Sequence, residues 1–453
     1  MYYRSALSRA FAATVAAGVF TTIALAQPPA GGVGGRGRGP TVNSPEVTSD
    51  GHVTFRILAP KAEKVTLSAG DINVLFSGGG AGAITGTNIS TVMPASPYPQ
   101  GWPEFTKNDS GIWEATIGPL PPGAYRYVFM VDGVRTLDPV NTHTAESNTN
   151  MWSMFTVSGA EMMDTADVPH GAVAEIFYYS SVLKTTRRMH IYTPPGYESA
   201  NTKYPVFYLL HGAGDTDDAW TSVGRASFIF DNLLAAKKIK PMIVVMPAGH
   251  QPGIAFGAPP ATPPSTTRTV NPFTNEFITD MLPYVEKHYR TINDRQHRAI
   301  AGLSMGGSQT LDIAFTHLAM FSEIGVFSSG ASLGGGRGRG NAAPATSAAP
   351  GGPGSPAAAP AMPSGPAPTA QQPPRPDWEA THLADLDNAS LKKGTKLIWL
   401  STGKDDGLIA SSKSTVELLK KHGFEPVFIE SPGAHSWFNW RNYLIEFTPQ
   451  LFQ

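Results

Sequence analysis

The segment Gly302-Leu303-Ser304-Met305-Gly306 constrains this chain more than any other. It follows Arg298-Ala299-Ile300-Ala301, which reads as a buried strand, and precedes a stretch from about Gly307 that reads as a helix. A strand that turns directly into a helix brings the two elements nearly into contact. Glycines at 302 and 306 allow that approach without Cβ clashes, and the apex residue, Ser304, is expected in strained backbone geometry with its hydroxyl held outward.

A serine hydroxyl is a poor nucleophile without a base. In an elbow of this kind the acid and then the histidine follow the nucleophile along the chain. Of twelve histidines, few lie beyond Ser304. His317 and His422 fall in helical stretches, and His382 in what reads as an irregular stretch. His435 sits in Pro432-Gly433-Ala434-His435-Ser436-Trp437, between the strand Val427 to Glu430 and the last helix, and is the expected general base. The acid should follow the strand Lys396 to Leu400. Asp405 and Asp406 both do, in Gly403-Lys404-Asp405-Asp406-Gly407, and the spacing from Gly403 favours Asp406. The early strand Val206 to Leu210 ends in His211-Gly212-Ala213-Gly214. A backbone N–H here, with Ala213 the favoured donor, would join that of Met305 in an oxyanion hole; the His211 side chain is expected to be structural.

The chain has two grammars. From Thr41 to Ser158, short runs alternate with period two: Val53 to Leu58, Lys64 to Leu67, Ile112 to Ile117, Ala124 to Phe129 and Met154 to Val157. Asp132-Gly133 between Val131 and Val134 is a hairpin signal. An all-β, immunoglobulin-like sandwich over residues 41–158 is predicted, with a long inserted loop from Gly78 to Gln100. From residue 168 to 453, continuous apolar strands alternate with helical stretches such as Phe273 to His288, Gln309 to His317 and Ser412 to His422. That pattern predicts a mostly parallel sheet covered by helices on both faces, and with the strand–elbow–helix at Ser304 the expected fold is of the α/β-hydrolase type. The Gly/Ala/Pro/Ser-rich tract 331–376 interrupts it and reads either as a disordered insertion or as a mobile lid.

The first 26 residues carry Arg4, Arg9, an apolar stretch from Phe11 to Leu25 and the small residues of Ala24-Leu25-Ala26, so an export signal cleaved after Ala26 is expected, followed by a Gly-rich linker over 27–40. The mature protein would then be secreted or periplasmic and not membrane-bound. Cysteine is absent from the sequence, which excludes a thiol nucleophile, a disulfide framework and Cys-based zinc sites. Lys+Arg (34) and Asp+Glu (35) nearly cancel without a basic stripe, so nucleic acid is not an expected partner.

These residues also carry a resemblance. Tyr192-Thr193-Pro194-Pro195-Gly196-Tyr197, Leu209-Leu210-His211-Gly212 and Arg298 to Gly307 resemble the Putative esterase superfamily, and within it carbohydrate esterase family 1, the feruloyl and acetyl-xylan esterases. Val53 to Pro60, Gly118 to Gly123 and Val131-Asp132-Gly133 resemble an early-set, family 48-type carbohydrate-binding module. The resemblance implies hydrolysis of an ester joining a feruloyl or acetyl group to a plant polysaccharide side chain, with no metal or organic cofactor. Trp220, Trp437, Phe438 and Trp440 could line an apolar cleft for the acyl group or could pack in the core. Trp102, Trp113 and Trp152 could stack on sugars. Other outcomes are an enterochelin-type siderophore esterase, a mycolyl-type acyltransferase and, from another class, a non-catalytic polysaccharide-binding protein.

Overall fold

The computed structural model describes residues 41–72, 103–251, 271–331 and 377–453. The expected export signal and Gly-rich linker, the 78–100 insertion, Trp102, and the tract 331–376 beyond Ala331 lie outside these residues.

Alternation of apolar and polar residues sets the N-terminal layer. Strands β1 (Glu46–Val47), β2 (Val53–Leu58), β4 (Thr106–Lys107) and β5 (Ile112–Ile117) form an antiparallel sheet in the order β1-β2-β5-β4. Against it lies a second sheet, β3 (Val65–Ser68), β6 (Gly123–Val131), β9 (Met151–Val157) and β8 (Thr144–Glu146), with β7 (Val134–Thr136) paired to β6. The β6–β7 turn is Asp132-Gly133, both at positive φ (48° and 82°), as the hairpin signal requires. Val53, Phe55 and Ile57 point inward from β2 while Thr54 and Arg56 point outward, and the inward residues meet Tyr125, Tyr127, Phe129 and Phe155 in one aromatic core. Trp113 belongs to that core, with its indole N–H donating to the Ala59 carbonyl at 3.0 Å. Trp152 lies in β9 beneath the Arg135 guanidinium, 4.4 Å away.

The second layer is an eight-stranded sheet in the order β10-β11-β13-β12-β14-β15-β16-β17. Its strands are β10 (Ala172–Ser180), β11 (Thr185–Thr193), β12 (Val206–Leu210), β13 (Ile243–Pro247), β14 (Arg298–Leu303), β15 (Glu323–Phe327), β16 (Leu397–Gly403) and β17 (Val427–Ser431). Pairing is parallel from β13 to β17, whereas β10, β11 and β13 pair antiparallel at one side. Side chains alternate between the two faces. Val206, Tyr208 and Leu210 enter one apolar cluster, and Phe207 and Leu209 enter the other. A strand buried on both faces must be apolar throughout, which is why β12 reads as one unbroken run.

The helices cover these faces: α1 (Ala226–Ala235), α2 (Pro272–Glu276), α3 (Leu282–His288), α4 (Met305–Thr316), α5 (Trp378–Leu386), α6 (Ala389–Lys393), α7 (Ile409–Lys421) and α8 (Trp437–Phe447). A π turn, Phe277–Met281, joins α2 to α3. Two expectations are corrected. His382 lies not in irregular chain but in α5, where Asp377 caps the first turn and the His382 ring stacks on Trp378 one turn back, centroids 4.2 Å apart. The antiparallel β10–β11 hairpin extends the sheet beyond what the strand–helix alternation suggested.

The two layers belong to one compact unit, Val42–Gln453. Arg441 of α8, 1% exposed, links them by donating Nη1 to the carbonyls of Ala124 (3.1 Å) and Val223 (2.8 Å). A Cβ on Gly123 would come within 2.8 Å of Arg441 Nη2, so a side chain there would have to displace the guanidinium.

Candidate active site

The helix after β14 begins at Met305, two residues earlier than the sequence suggested, with Ser304 in the capping position. Ser304 takes φ 53°, ψ −115°, a region that side-chain-bearing residues rarely occupy. Its neighbours hold it there. The Ser304 N–H donates to the Phe327 carbonyl at 2.8 Å. A Cβ on Gly302 would lie 2.4 Å from the Gly306 carbonyl, and one on Gly306 would lie 2.6 Å from the His211 carbonyl oxygen. Strand, turn and helix therefore close on one another only because both positions are glycine.

The β16 and β17 ends deliver the other two groups. Ser304 Oγ donates to His435 Nε2 at 2.9 Å, and His435 Nδ1 donates to Asp406 Oδ2 at 2.9 Å. A carboxylate can only accept, so this arrangement assigns the histidine proton to Nδ1 and leaves Nε2 free to accept from the serine. The Asp406 side chain is fully buried, and the His435 side chain is 37% exposed. Burial by itself raises the Asp406 carboxyl. The bonds from His435, the Leu408 amide (2.8 Å to Oδ1) and the Ser328 hydroxyl outweigh it and hold the group below the usual carboxylate range. Asp405 is exposed and points away; its contribution is a backbone N–H donated to the Gly433 carbonyl at 3.0 Å. Ser436 caps α8, and Asn439 ties its amide back to the Pro432 carbonyl at 2.7 Å, fixing the turn that presents His435. The Trp440 ring meets the imidazole edge-to-face at 4.9 Å and donates its N–H to Ser328 Oγ at 2.9 Å.

The loop after β12 lies directly against this group, because a Cβ on Gly212 would be 3.5 Å from Ser304 Cβ. His211 is 1% exposed. Its Nδ1 donates to the Gly212 carbonyl at 2.8 Å, and its Nε2 accepts from the Gly249 N–H at 2.8 Å. Burial brings the imidazole down to about 4, so it stays neutral, as an accepting nitrogen must. Met305, as the first helical residue, has an amide N–H with no partner within the helix, and the positive end of the helix dipole adds to it. Ala213 is half-buried in the loop facing the elbow.

The aromatic residues divide. Trp220 is fully buried and Trp437 is 2% exposed. Their rings meet edge-to-face at 5.0 Å, and the Trp220 indole donates to the Leu210 carbonyl at 3.1 Å. Both rings therefore support the loop and α8 from below rather than presenting an open wall. Phe438, half-buried, keeps part of its surface in solvent. Two groups bearing on this site were missed at the sequence level: Ser328, which touches both Asp406 and Trp440, and Asp215, buried in the loop after His211. Nothing local marks them, since small polar residues next to strand ends are common.

A family model described as "Putative esterase" matches residues 180–451. An endo-1,4-β-xylanase/feruloyl esterase of Xylanibacter ruminicola is 31% identical over 294 residues, 63% of this chain and 36% of that protein. An esterase of Mycobacterium tuberculosis is 30% identical over 161 residues, 35% of this chain and 33% of that protein. The chain thus spans about a third of the length of these curated relatives. Among solved structures, the enterobactin esterase of Shigella flexneri aligns over 89% of this chain and 93% of its own with a TM-score of 0.52 at 15% identity, a likeness of fold that includes the N-terminal β layer. The elbow, the two loops that meet it and the sheet order all lie within or beside the matched span, and the chain belongs to the Putative esterase family.

Proposed function

We propose that this protein is a serine carboxylesterase in which Ser304 is the nucleophile, His435 the general base and acid, and Asp406 the group that orients the imidazole. The observation that carries the reading is the continuous hydrogen-bond chain Ser304–His435–Asp406, 2.9 Å at each link. In the first half-reaction His435 Nε2 takes the serine proton as Oγ attacks the ester carbonyl carbon. The carbonyl π pair moves to oxygen, and the N–H groups of Met305 and Ala213 receive that oxyanion. Collapse expels the alcohol, which takes the proton from His435, and leaves an acyl ester on Ser304. Water then attacks that ester with His435 as base, releasing the acid and restoring the serine. Asp406 stays ionised throughout, because its hydrogen bonds hold it low.

The relatives support one substrate class over the others. The matched feruloyl esterase supports an aromatic or acetyl ester of a plant polysaccharide side chain, with Phe438 the aromatic residue best exposed to meet the acyl group. The N-terminal sandwich is read as a module of the carbohydrate-binding type, and the chain as secreted or periplasmic after removal of residues 1–26. Parallel assays on p-nitrophenyl acetate, methyl ferulate, acetylated xylan and a catecholate trilactone test the reading. Preferred turnover of methyl ferulate or acetylated xylan supports it. Preference for the trilactone moves the substrate class to siderophores, and no turnover of any ester refutes the enzyme.

A further inference from the structure

The loop that follows His211 is held from the sandwich side at three points. Arg126, on β6, donates Nη1 to Asp215 Oδ1 at 2.6 Å. The Asn148 amide donates to the Gly214 carbonyl at 3.1 Å, and the Glu146 amide donates to Asp218 Oδ2 at 3.0 Å. Arg126 is itself fixed. Its Nε and Nη2 form a fork on the two oxygens of Asp71 at 2.9 and 3.0 Å, and its backbone N–H also donates to Asp71. The three side chains are 13%, 14% and 7% exposed, so solvent screens the pairs little. A planar guanidinium clamped on one side by a bidentate carboxylate has little freedom left, and it offers the Asp215 carboxylate one well-defined position.

That position matters for the elbow. The Asp215 N–H closes a turn on the Gly212 carbonyl at 3.2 Å, and Ala213 lies inside that turn. His250 donates Nε2 to the Asp215 carbonyl at 3.0 Å, so the residue is held from a second direction. The loop tip has no packing of its own, because a Cβ on Gly214 would meet nothing within 4 Å. Hydrogen bonds and the ion pair on Asp215 therefore act together with the packing of Gly212 against Leu303 and Ser304 in placing the Ala213 amide.

We propose that Arg126 is a positioning residue for the oxyanion hole. Through its ion pair with Asp215, the N-terminal sandwich sets where the Ala213 N–H stands over the nucleophile. The sandwich then forms part of the catalytic apparatus and is not only an attachment point for polysaccharide. The inference rests on the reading of Ala213 and Met305 as oxyanion donors.

The test uses the full chain and the variants Arg126→Met, Arg126→Lys and Asp215→Asn, with kcat and KM on p-nitrophenyl acetate and the dissociation constant of benzeneboronic acid. That acid bonds to a serine Oγ as a tetrahedral anion and so reads oxyanion stabilisation directly. Removing one oxyanion donor outright costs about 10²–10³ in kcat. Loosening one is expected to cost about 10- to 100-fold in kcat, with boronate affinity falling by a similar factor, KM within about twofold and partial recovery in Arg126→Lys. Asp215→Asn cuts the same ion pair while leaving Arg126 on Asp71, so it carries the test should Arg126→Met fail to fold. A lowered melting temperature with kcat and boronate affinity unchanged would make Arg126 an interface residue only and overturn the proposal. A change confined to KM would make it a substrate contact, which overturns it equally. A wild-type protein that neither hydrolyses the ester nor binds the boronate would refute the esterase reading itself, a result separable from any difference among the variants.

Discussion

Gly403 and Gly433 approach so closely that a Cβ on Gly403 would lie 2.2 Å from the Gly433 carbonyl oxygen. Gly403 ends β16 three residues before Asp406, and Gly433 precedes His435 by two at φ 92°. The acid loop and the histidine loop are thus joined backbone to backbone, and the Asp405 amide bonds to that same carbonyl at 3.0 Å. Gly403→Ala must push the loops apart. Overpacking of this kind typically costs about 1–3 kcal/mol, and a misplacement of about 1 Å can cost about 10² in rate. The expected result is a folded, less stable protein with kcat reduced at least tenfold, read by thermal melting and ester hydrolysis; an unchanged kcat would show that the contact does not align the pair.

Of the two adjacent carboxylates, Asp406 should dominate. Its Oδ2 accepts from His435 while Asp405 faces solvent. An amide at position 406 would favour the imidazole tautomer unable to accept the serine proton. In a serine protease the equivalent change costs about 10⁴ in kcat. Asp406→Asn is expected to fall by a comparable factor and Asp405→Asn by less than about threefold, measured side by side on one substrate. The opposite ranking would contradict the assignment.

The legible and illegible parts of this site divide on physical grounds. Ser304 and Asp406 each follow a buried strand and His435 follows the half-exposed edge strand β17, all three in glycine-marked turns, so a local pattern points to each. Helix α4 begins at Met305 rather than Gly307, with the strained Ser304 in the N-cap position and its hydroxyl turned to His435 instead of to the helix. Arg126 gives no such signal. It occupies an outward position in an alternating strand, where arginine normally meets water, and only the packing of the sandwich against the 211–218 loop buries it. Trp220 likewise sits near the motifs in sequence, yet three-dimensional packing puts it wholly in the core.

Glu323 offers a test of stability apart from catalysis. Burial pushes its carboxyl up to about 7, while the Phe452 amide bonds only one oxygen, at 2.9 Å, and Oε2 has no partner among the described residues. Between the ordinary value of 4.5 and about 7 the folded state binds more protons than the unfolded one. Stability from this group is therefore complete below about 4.5 and is lost as pH rises through that window, by on the order of 3 kcal/mol. Glu323→Gln keeps the acceptor for Phe452 and removes the charge. It should melt a few degrees higher than wild type at pH 8.5 and no higher at pH 4.5. Equal shifts at both pH values would contradict this account.

The assignment of Ser304 as nucleophile is decided by Ser304→Ala, measured against wild type on p-nitrophenyl acetate. Loss of a triad serine can cost about 10⁶ in kcat. The variant is expected to keep its fold and melting behaviour and to lose all hydrolysis above background. A clean preparation of Ser304→Ala retaining more than a few per cent of wild-type kcat would contradict it.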